Sequence, residues 1–437
     1  MNFIVLLVDD MGATDLGCTG STFYKTPNID QLARDGAMFT QAYSACTVCS
    51  PTRAALLTGK APARLHITDW IAGHGRPFAK LRPPEWCQEL PEEETTLAEL
   101  LKSKGYATGS FGKWHLGKQP PASHGFDVNA GGTSRGQPYT WFPPYQNPAL
   151  PDGPPGEFLT ERLTAEVEKF MTERKDRPFF VYFPHFAVHT PLGGKKEVIE
   201  KYKAAARNDA PQRNPVYASM VESVDDSVGR LRTKVRELGL EDRTVFIFMS
   251  DNGGLINNPE KPITTNLGLR DGKGSAYEGG VRVPLLVRWP GVTAPGMRCP
   301  IPVISMDINA TIAAAAGATP PADGRDFRPL ITTNGFKEVR PLFWHYPHYH
   351  PGGATPYSAI LHGRWRLVRF YEDARTELYD VLNDREERKN VAAEFPGEVR
   401  DLTSRLDAWL KETGAQMPVP NPAYDKAKDA DPKLRWN

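Results

Sequence analysis

The strongest constraint on this chain is a set of short runs that are apolar at every position. FIVLLV (Phe3–Val8), FFVYF (Phe179–Phe183) and TVFIFM (Thr244–Met249) are continuous in β-branched, aromatic or aliphatic side chains. A strand of that texture is buried on both faces, whereas a sheet with one wet face alternates apolar and polar residues. Tyr106–Phe111 and Pro284–Val287 add two further strand candidates. Helix-like segments lie between and around them at Ile29–Ala37, Leu97–Lys104, Glu161–Thr172 and Ala218–Leu238. Strands covered on both sides and separated by helices predict an α/β fold, a large mostly parallel mixed sheet sandwiched by helices.

With 437 residues the chain exceeds what one small core accommodates, and its texture changes after about Ile331. YSAILHGRWRLVRFYEDARTELYDV predicts a meander of three antiparallel strands, with turns at Gly363 and at Glu372–Arg375. Val399, Leu402, Leu406, Trp409 and Leu410 then recur at helical spacing, which predicts a closing helix. The expected division is a catalytic domain over 1–335 and a smaller C-terminal α+β subdomain over 336–437, built on an antiparallel sheet. The proline-rich segment Pro138–Gly156 is expected to be a long surface loop.

Composition excludes several classes. Lys and Arg total 53 against 52 Asp and Glu, so no basic excess points to a nucleic-acid partner. No apolar run approaches the ~18 residues of a membrane span. Five cysteines in so long a chain do not make a disulfide framework. No signal-peptide pattern is visible, because the first strand candidate begins directly after Met1.

In open α/β sheets ligands bind beyond the carboxyl ends of the strands. Those ends carry Asp9-Asp10, Lys113 and His115 in GKWHLG, His185 and His189, and Asp251-Asn252 in SDNGG. Four strands deliver polar groups to one edge, which argues for a single site. Asp9, Asp10, Asp251 and Asn252 are hard oxygen donors, a set suited to Ca²⁺ or Mg²⁺ and not to zinc. Either dipeptide alone reads as a turn; two, each directly after an apolar strand, read as a metal site.

CTVCSPTRAALLTG (Cys46–Gly59) holds a C-x-x-C pair, which elsewhere marks a redox couple or half a zinc site. No second pair exists, so Cys46 reads as structural. Ser50-Pro51 is a helix start, with Ser as N-cap and Pro at the first position, and Gly59 closes the helix. Cys49 then sits just before a helix N-terminus, a place that favours an anion, with Arg53 able to reach back over it.

At this point the chain resembles the type I sulfatases, the formylglycine-dependent enzymes of the alkaline phosphatase superfamily. Cys49-Ser50-Pro51-Thr52-Arg53 matches their C-x-P-x-R signature, and further motifs follow in family order: NFIVLLVDDMG, TPNIDQLARDGAMFTQAY, GYATGSFGKWHLG, HTP, SDNGG, GKGSAYEGGVRVPLLVRWPG and ELYDVLNDREERKNVA. One departure is Asp271, where many members have a small residue. The resemblance implies that Cys49 is oxidised to Cα-formylglycine by a generating or maturase enzyme, and that its hydrate is both nucleophile and metal ligand. It implies a calcium site, with magnesium the lesser alternative, completed by Asp9, Asp10, Asp251 and Asn252. Arg53 and Lys113 hold the hydrate, and His115 takes a proton from its second hydroxyl, releasing sulfate from the covalent intermediate. His189 and Lys273 contact the sulfate, and one of them protonates the leaving alcohol. Such members commonly act outside the cytoplasm, which implies a periplasmic or secreted enzyme.

Two other readings remain at this stage: a phosphonate monoester or phosphodiester hydrolase with the same nucleophile, and a non-catalytic thiol protein in which Cys49 stays unmodified. For the substrate, FWHYPHYHPGG (Phe343–Gly353) combines aromatic faces with hydrogen-bonding tips, and AGHGRPFAKLR adds His74 and Arg76. Trp344 reads as a buried joint between domains. His345 and His348 on one side and His74 and Arg76 on the other are expected to line the pocket mouth and bind a sulfated hexose or hexosamine, of galacto type.

Overall fold

A computed structural model describes residues 1–256, 263–321, 323–332 and 339–436. The main sheet has eight strands: β1 (Asn2–Val8), β2 (Ala37–Phe39), β3 (Ala107–Phe111), β4 (Val128–Ala130), β5 (Phe179–Pro184), β6 (Thr244–Ser250), β7 (Leu285–Arg288) and β8 (Met297–Cys299). Their spatial order is β8-β2-β7-β6-β1-β5-β3-β4. β6, β1, β5, β3 and β4 run parallel, while β7 is antiparallel to both its neighbours. The predicted mixed, mostly parallel sheet is present.

Period-two alternation in β1 sorts its side chains into two layers. Ile4, Leu6 and Val8 enter one core with α1 (Pro27–Asp35), α4 (Leu159–Glu173) and α5 (Pro215–Glu237). Phe3, Val5 and Leu7 enter the other with α2 (Cys49–Thr58), α3 (Leu97–Ser103) and α6 (Met306–Ala315). Burial on both faces is why these strands need no polar alternation.

Register explains how the strand ends converge. β1 pairs parallel with β6 and β5, matching Val8 with Ser250 and Leu7 with Pro184. The ladder then continues past the strands: the Asp251 amide donates to the Val8 carbonyl, His185 to Leu7 and Lys113 to Pro184. Gly112 makes the last contact possible. Its φ is +123°, and a Cβ there would lie 2.0 Å from the Pro184 carbonyl oxygen.

Several expectations need correcting. The C-terminal sheet has four strands, not three: β9 (Leu342–Tyr346), β10 (Tyr357–His362), β11 (Trp365–Phe370) and β12 (Thr376–Asp380), all antiparallel. β9 was missed because its aromatic and histidine residues look like a loop of binding residues. The closing helix α7 (Pro396–Glu412) packs Leu402, Leu406 and Leu410 on Ile360, Leu367 and Leu378. Trp344 is buried and its indole N–H donates to the Ser44 carbonyl, tying β9 to the segment that leads into α2. Pro138–Gly156 is no simple surface loop, since Trp141, Tyr145 and Leu150 are buried in the main core. The expected boundary at 335/336 lies outside the described residues.

Candidate active site

α2 begins two residues earlier than the Ser-Pro signal suggests, so Cys49 is its first residue and Val48 its N-cap. Ser50 does not cap the helix. Its hydroxyl donates to the His115 carbonyl and accepts the Ile71 amide, tying α2 to two loops of the site. Every residue of α2 is buried, and Gly59, at φ +67°, ends it by donating to the Ala55 carbonyl.

Cys49 lies in the lining of a cavity of about 600 Å³ lined also by Trp70, His74, His115, Arg135, His189, Lys273 and His350. A second hollow of similar size between α4 and α5 holds none of the strand-end groups, and its Lys195 and Arg230 are paired with Glu161 and Glu168.

His115 Nδ1 is 3.4 Å from Cys49 Sγ, and His115 Nε2 bonds to the Ile71 carbonyl. A carbonyl only accepts, so Nε2 carries the hydrogen and Nδ1 presents its lone pair to position 49. Burial, reinforced by Lys113, holds this imidazole well below the usual histidine range, hence neutral. His115 and Asp10 both occupy the left-handed region, at φ +57° and +61°, a conformation uncommon outside glycine and found at functional sites.

The carboxylates form a second tier. Lys113 Nζ contacts Asp9 Oδ2 at 2.8 Å, and Lys273 Nζ contacts Asp10 Oδ1 at 2.7 Å. Arg53 gives Nε and Nη2 to Asp251 Oδ2, at 3.0 and 2.7 Å, and Nη1 to the Lys113 carbonyl at 2.9 Å. Its guanidinium thus bridges the end of β6 and the loop after β3, with Nη2 also 3.6 Å from Asp9 Oδ1. His189 Nε2 stands 3.6 Å from Asp10 Oδ2. Burial pushes the Asp9 carboxyl up to about 8 against the pull of Lys113, whereas at Asp10 the same burial is outweighed by Lys273, His189 and Lys113, which hold it well below its ordinary value.

These groups fit a hard cation. Asp9 Oδ1 and Asn252 Oδ1 are buried and accept no hydrogen bond among the described residues. Ligand atoms of Asp9, Asp10 and His189 fall within 4.8 Å of one another. An isolated buried acceptor is costly, and a dication beside clustered carboxylates removes that cost.

Residues 1–318 match the Sulfatase family model. The chain belongs to the sulfatase family. Residues 268–416 also match the C-terminal model of N-sulphoglucosamine sulphohydrolase. The chain is 31% identical to a sulfatase of Formosa agariphila, over 98% of this chain and 93% of that protein. It is 35% identical to N-acetylgalactosamine-6-sulfatase of Homo sapiens, over 79% of this chain and 68% of the relative. The solved structure of Ps i-CgsB in complex with k-i-k-neocarrahexaose superposes with a TM-score of 0.81 at 28% identity, covering 99% of this chain and 97% of that one. This sulfatase is thus a sulfuric ester hydrolase, which favours that reading over the phosphorus-ester and non-catalytic alternatives.

Of the sequence-derived site residues, Asp9, Asp10, Cys49, Arg53, Lys113, His115, His189, Asp251, Asn252 and Lys273 converge, and His74 lines the cavity. Arg76, His345 and His348 are not part of its lining. His345 is buried between Ser358 Oγ and the Gln416 carbonyl, both at 2.8 Å. His348 is buried against Thr68 Oγ1 at 2.8 Å. Arg76 lies over the Tyr349 ring and is bidentate to Asp429. His345 in β9, and His348 just beyond it, are buried where local hydrogen bonds consume their ring nitrogens. Trp70, Arg135 and His350 line the cavity without having been singled out. Of these, only His350 carried a signal: it lies in the Phe343–Gly353 stretch expected to bind substrate, directly before Pro351-Gly352-Gly353.

Proposed function

We propose that this sulfatase hydrolyses the sulfate ester of a saccharide, a sulfated hexose or hexosamine of galacto type, with Cys49 acting after oxidation to formylglycine. The observation that carries the reading is Cys49 in the cavity lining, with the neutral His115 Nδ1 beside it, Lys273 in the same lining and Lys113 on Asp9. As a plain thiol Cys49 would serve poorly, because burial pushes it above the ordinary cysteine value despite Lys113 and Lys273. The oxidised, hydrated side chain supplies a hydroxyl nucleophile there instead. Its formation requires an enzyme that acts on the Cys49–Arg53 signature.

The chain's own groups take the following parts. His115 Nδ1 receives a proton from the group at position 49, and the Ile71 carbonyl fixes the tautomer that allows it. Lys273 and His189 border the space above Asp10 and are the groups able to meet sulfuryl oxygens and the leaving alcohol. Lys113 neutralises Asp9, and Arg53 anchors Asp251. Asp9, Asp10, Asp251 and Asn252 would hold a calcium ion, which supplies positive charge against the anionic ester. His189 stands close enough to the carboxylates to be an additional donor. The saccharide reading is supported by the aromatic and imidazole walls, and by relatives whose names specify N-acetylgalactosamine 6-sulfate and a carrageenan-type hexasaccharide. Action on such anionic polymers suits a periplasmic or secreted enzyme. Among the described residues no helix is long and apolar enough to cross a membrane.

The test is turnover of a panel of 6-sulfated galactose, 6-sulfated N-acetylgalactosamine, 4-nitrophenyl sulfate and 4-nitrophenyl phosphate, with mass spectrometry of the Cys49 peptide. We expect formylglycine in active preparations, a preference for sulfated sugars, and a folded but inactive Cys49→Ala variant. Full turnover by Cys49→Ala ends the mechanism, whereas a preference for the aryl sulfate over every sugar ends the saccharide assignment alone.

A further inference from the structure

His350 has no part in the chemistry above, yet its surroundings are built around it. It follows β9 on the cavity wall and is only 8% exposed. Its Nδ1 accepts the Gly352 amide at 2.8 Å. An accepting ring nitrogen carries no hydrogen, so the imidazole is neutral and its proton sits on Nε2. That Nε2 has no hydrogen-bond partner among the described residues.

Two glycines make room for the ring. A Cβ at Gly274, where φ is +73°, would lie 1.7 Å from His350 Nδ1, and one at Gly352 would lie 2.8 Å from it. Gly274 directly follows Lys273, so His350 stands next to the cation that faces the ester. The His74 ring is 5.4 Å away and in turn 4.9 Å from Trp70, so three rings form one side of the cavity. A segment outside both family matches holds that side: Asp429 takes Arg76 bidentately and the Trp436 ring lies 5.8 Å from His74.

We propose that His350 Nε2–H donates a hydrogen bond to a hydroxyl beside the sulfate ester, and so selects hydroxylated alcohols over bare ones. Lysines already supply positive charge for the sulfate, and a neutral donor locked in one tautomer is the group suited to a hydroxyl. A site that hydrogen-bonds a substrate hydroxyl penalises the analogue lacking it, because the buried donor is then left unpaired. The inference rests on the sulfatase chemistry at Cys49 and deepens the saccharide reading.

Two aryl sulfates separate the inference from that reading. 4-Nitrocatechol sulfate carries a hydroxyl next to its ester, and 4-nitrophenyl sulfate does not. The quantity to measure is the ratio of their kcat/KM values. His350→Phe keeps a ring without the donor and is expected to lower the ratio about five- to tenfold. His350→Gln, whose amide N–H₂ replaces the donor, is expected to recover most of it. An unchanged ratio in His350→Phe, or an equal fall in both variants, overturns the assignment. If the ratio responds as expected while wild-type enzyme turns over no sulfated sugar, the hydrogen bond stands and the saccharide reading falls.

Discussion

Asp69 sits behind the cavity wall, buried and without a cationic partner within ion-pair distance apart from His348 Nδ1 at 4.0 Å. Its Oδ1 accepts the Tyr346 hydroxyl at 2.7 Å and the Trp70 amide at 2.9 Å, so it fixes the residue that lines the cavity. Burial pushes its carboxyl up to about 7, and His348, lowered to about 3 by burial, stays neutral beside it. The sign follows from proton counting. Between pH 4 and pH 7 the unfolded chain has lost the Asp69 proton while the folded chain keeps it, so stability falls as pH rises, by about 1.4 kcal/mol per unit. Asp69→Asn retains an acceptor for both donors and removes the titration. Its stability relative to wild type should therefore rise from pH 4 to pH 7 in urea titrations, and a constant difference would mean that Asp69 ionises normally. By contrast, the buried hydrogen bonds of His345 and His348 lead us to expect that their replacement alters stability rather than substrate choice.

At the scale of elements, α2 and β6 are held together by one buried ion pair. The Arg53 and Asp251 side chains are both fully buried, and Arg53 also ties the loop after β3 through the Lys113 carbonyl. Truncation to Arg53→Ala leaves Asp251 buried with its main counter-charge gone, and breaking such a pair costs about 3–5 kcal/mol. Chemical denaturation of the metal-free protein should show a loss of that size. A loss under about 1 kcal/mol would mean that Arg53 is not the anchor. His115 follows Lys113 by two residues in the same loop, so the surviving folded fraction should also turn over more slowly.

For the whole molecule, the clustered carboxylates predict a ligand-dependent stability. Asp9, Asp10 and Asp251 are buried side by side, matched in charge by Arg53, Lys113 and Lys273, yet Asp9 Oδ1 and Asn252 Oδ1 accept no hydrogen bond among the described residues. Calcium binding the folded form alone should raise the melting temperature with increasing concentration, and a chelator should reverse the rise. Asp10→Ala should abolish the response. A melting temperature indifferent to calcium, magnesium and chelator would remove the metal from this site.

The parallel strands were legible because burial on both faces leaves an unmistakable apolar run, and their ends named the site because parallel strands in register finish at one edge. The residues that converge on the candidate site were legible too, since the Cys49–Arg53 signature and the strand-end acids are local patterns. What the sequence left open were matters of direction. Arg53 bonds Asp251 and the Lys113 carbonyl because a buried guanidinium goes where carboxylate and carbonyl oxygens are. His345 and His348 look like binding residues in one dimension, but His345 in β9 packs against Ser358 and Gln416, and His348, just past the strand, against Thr68. His350, a few residues on, faces the cavity because Gly352 in its own turn and Gly274, distant in sequence, leave space for its ring. Such complementarity depends on residues brought together only by tertiary packing, so it has no local pattern to read.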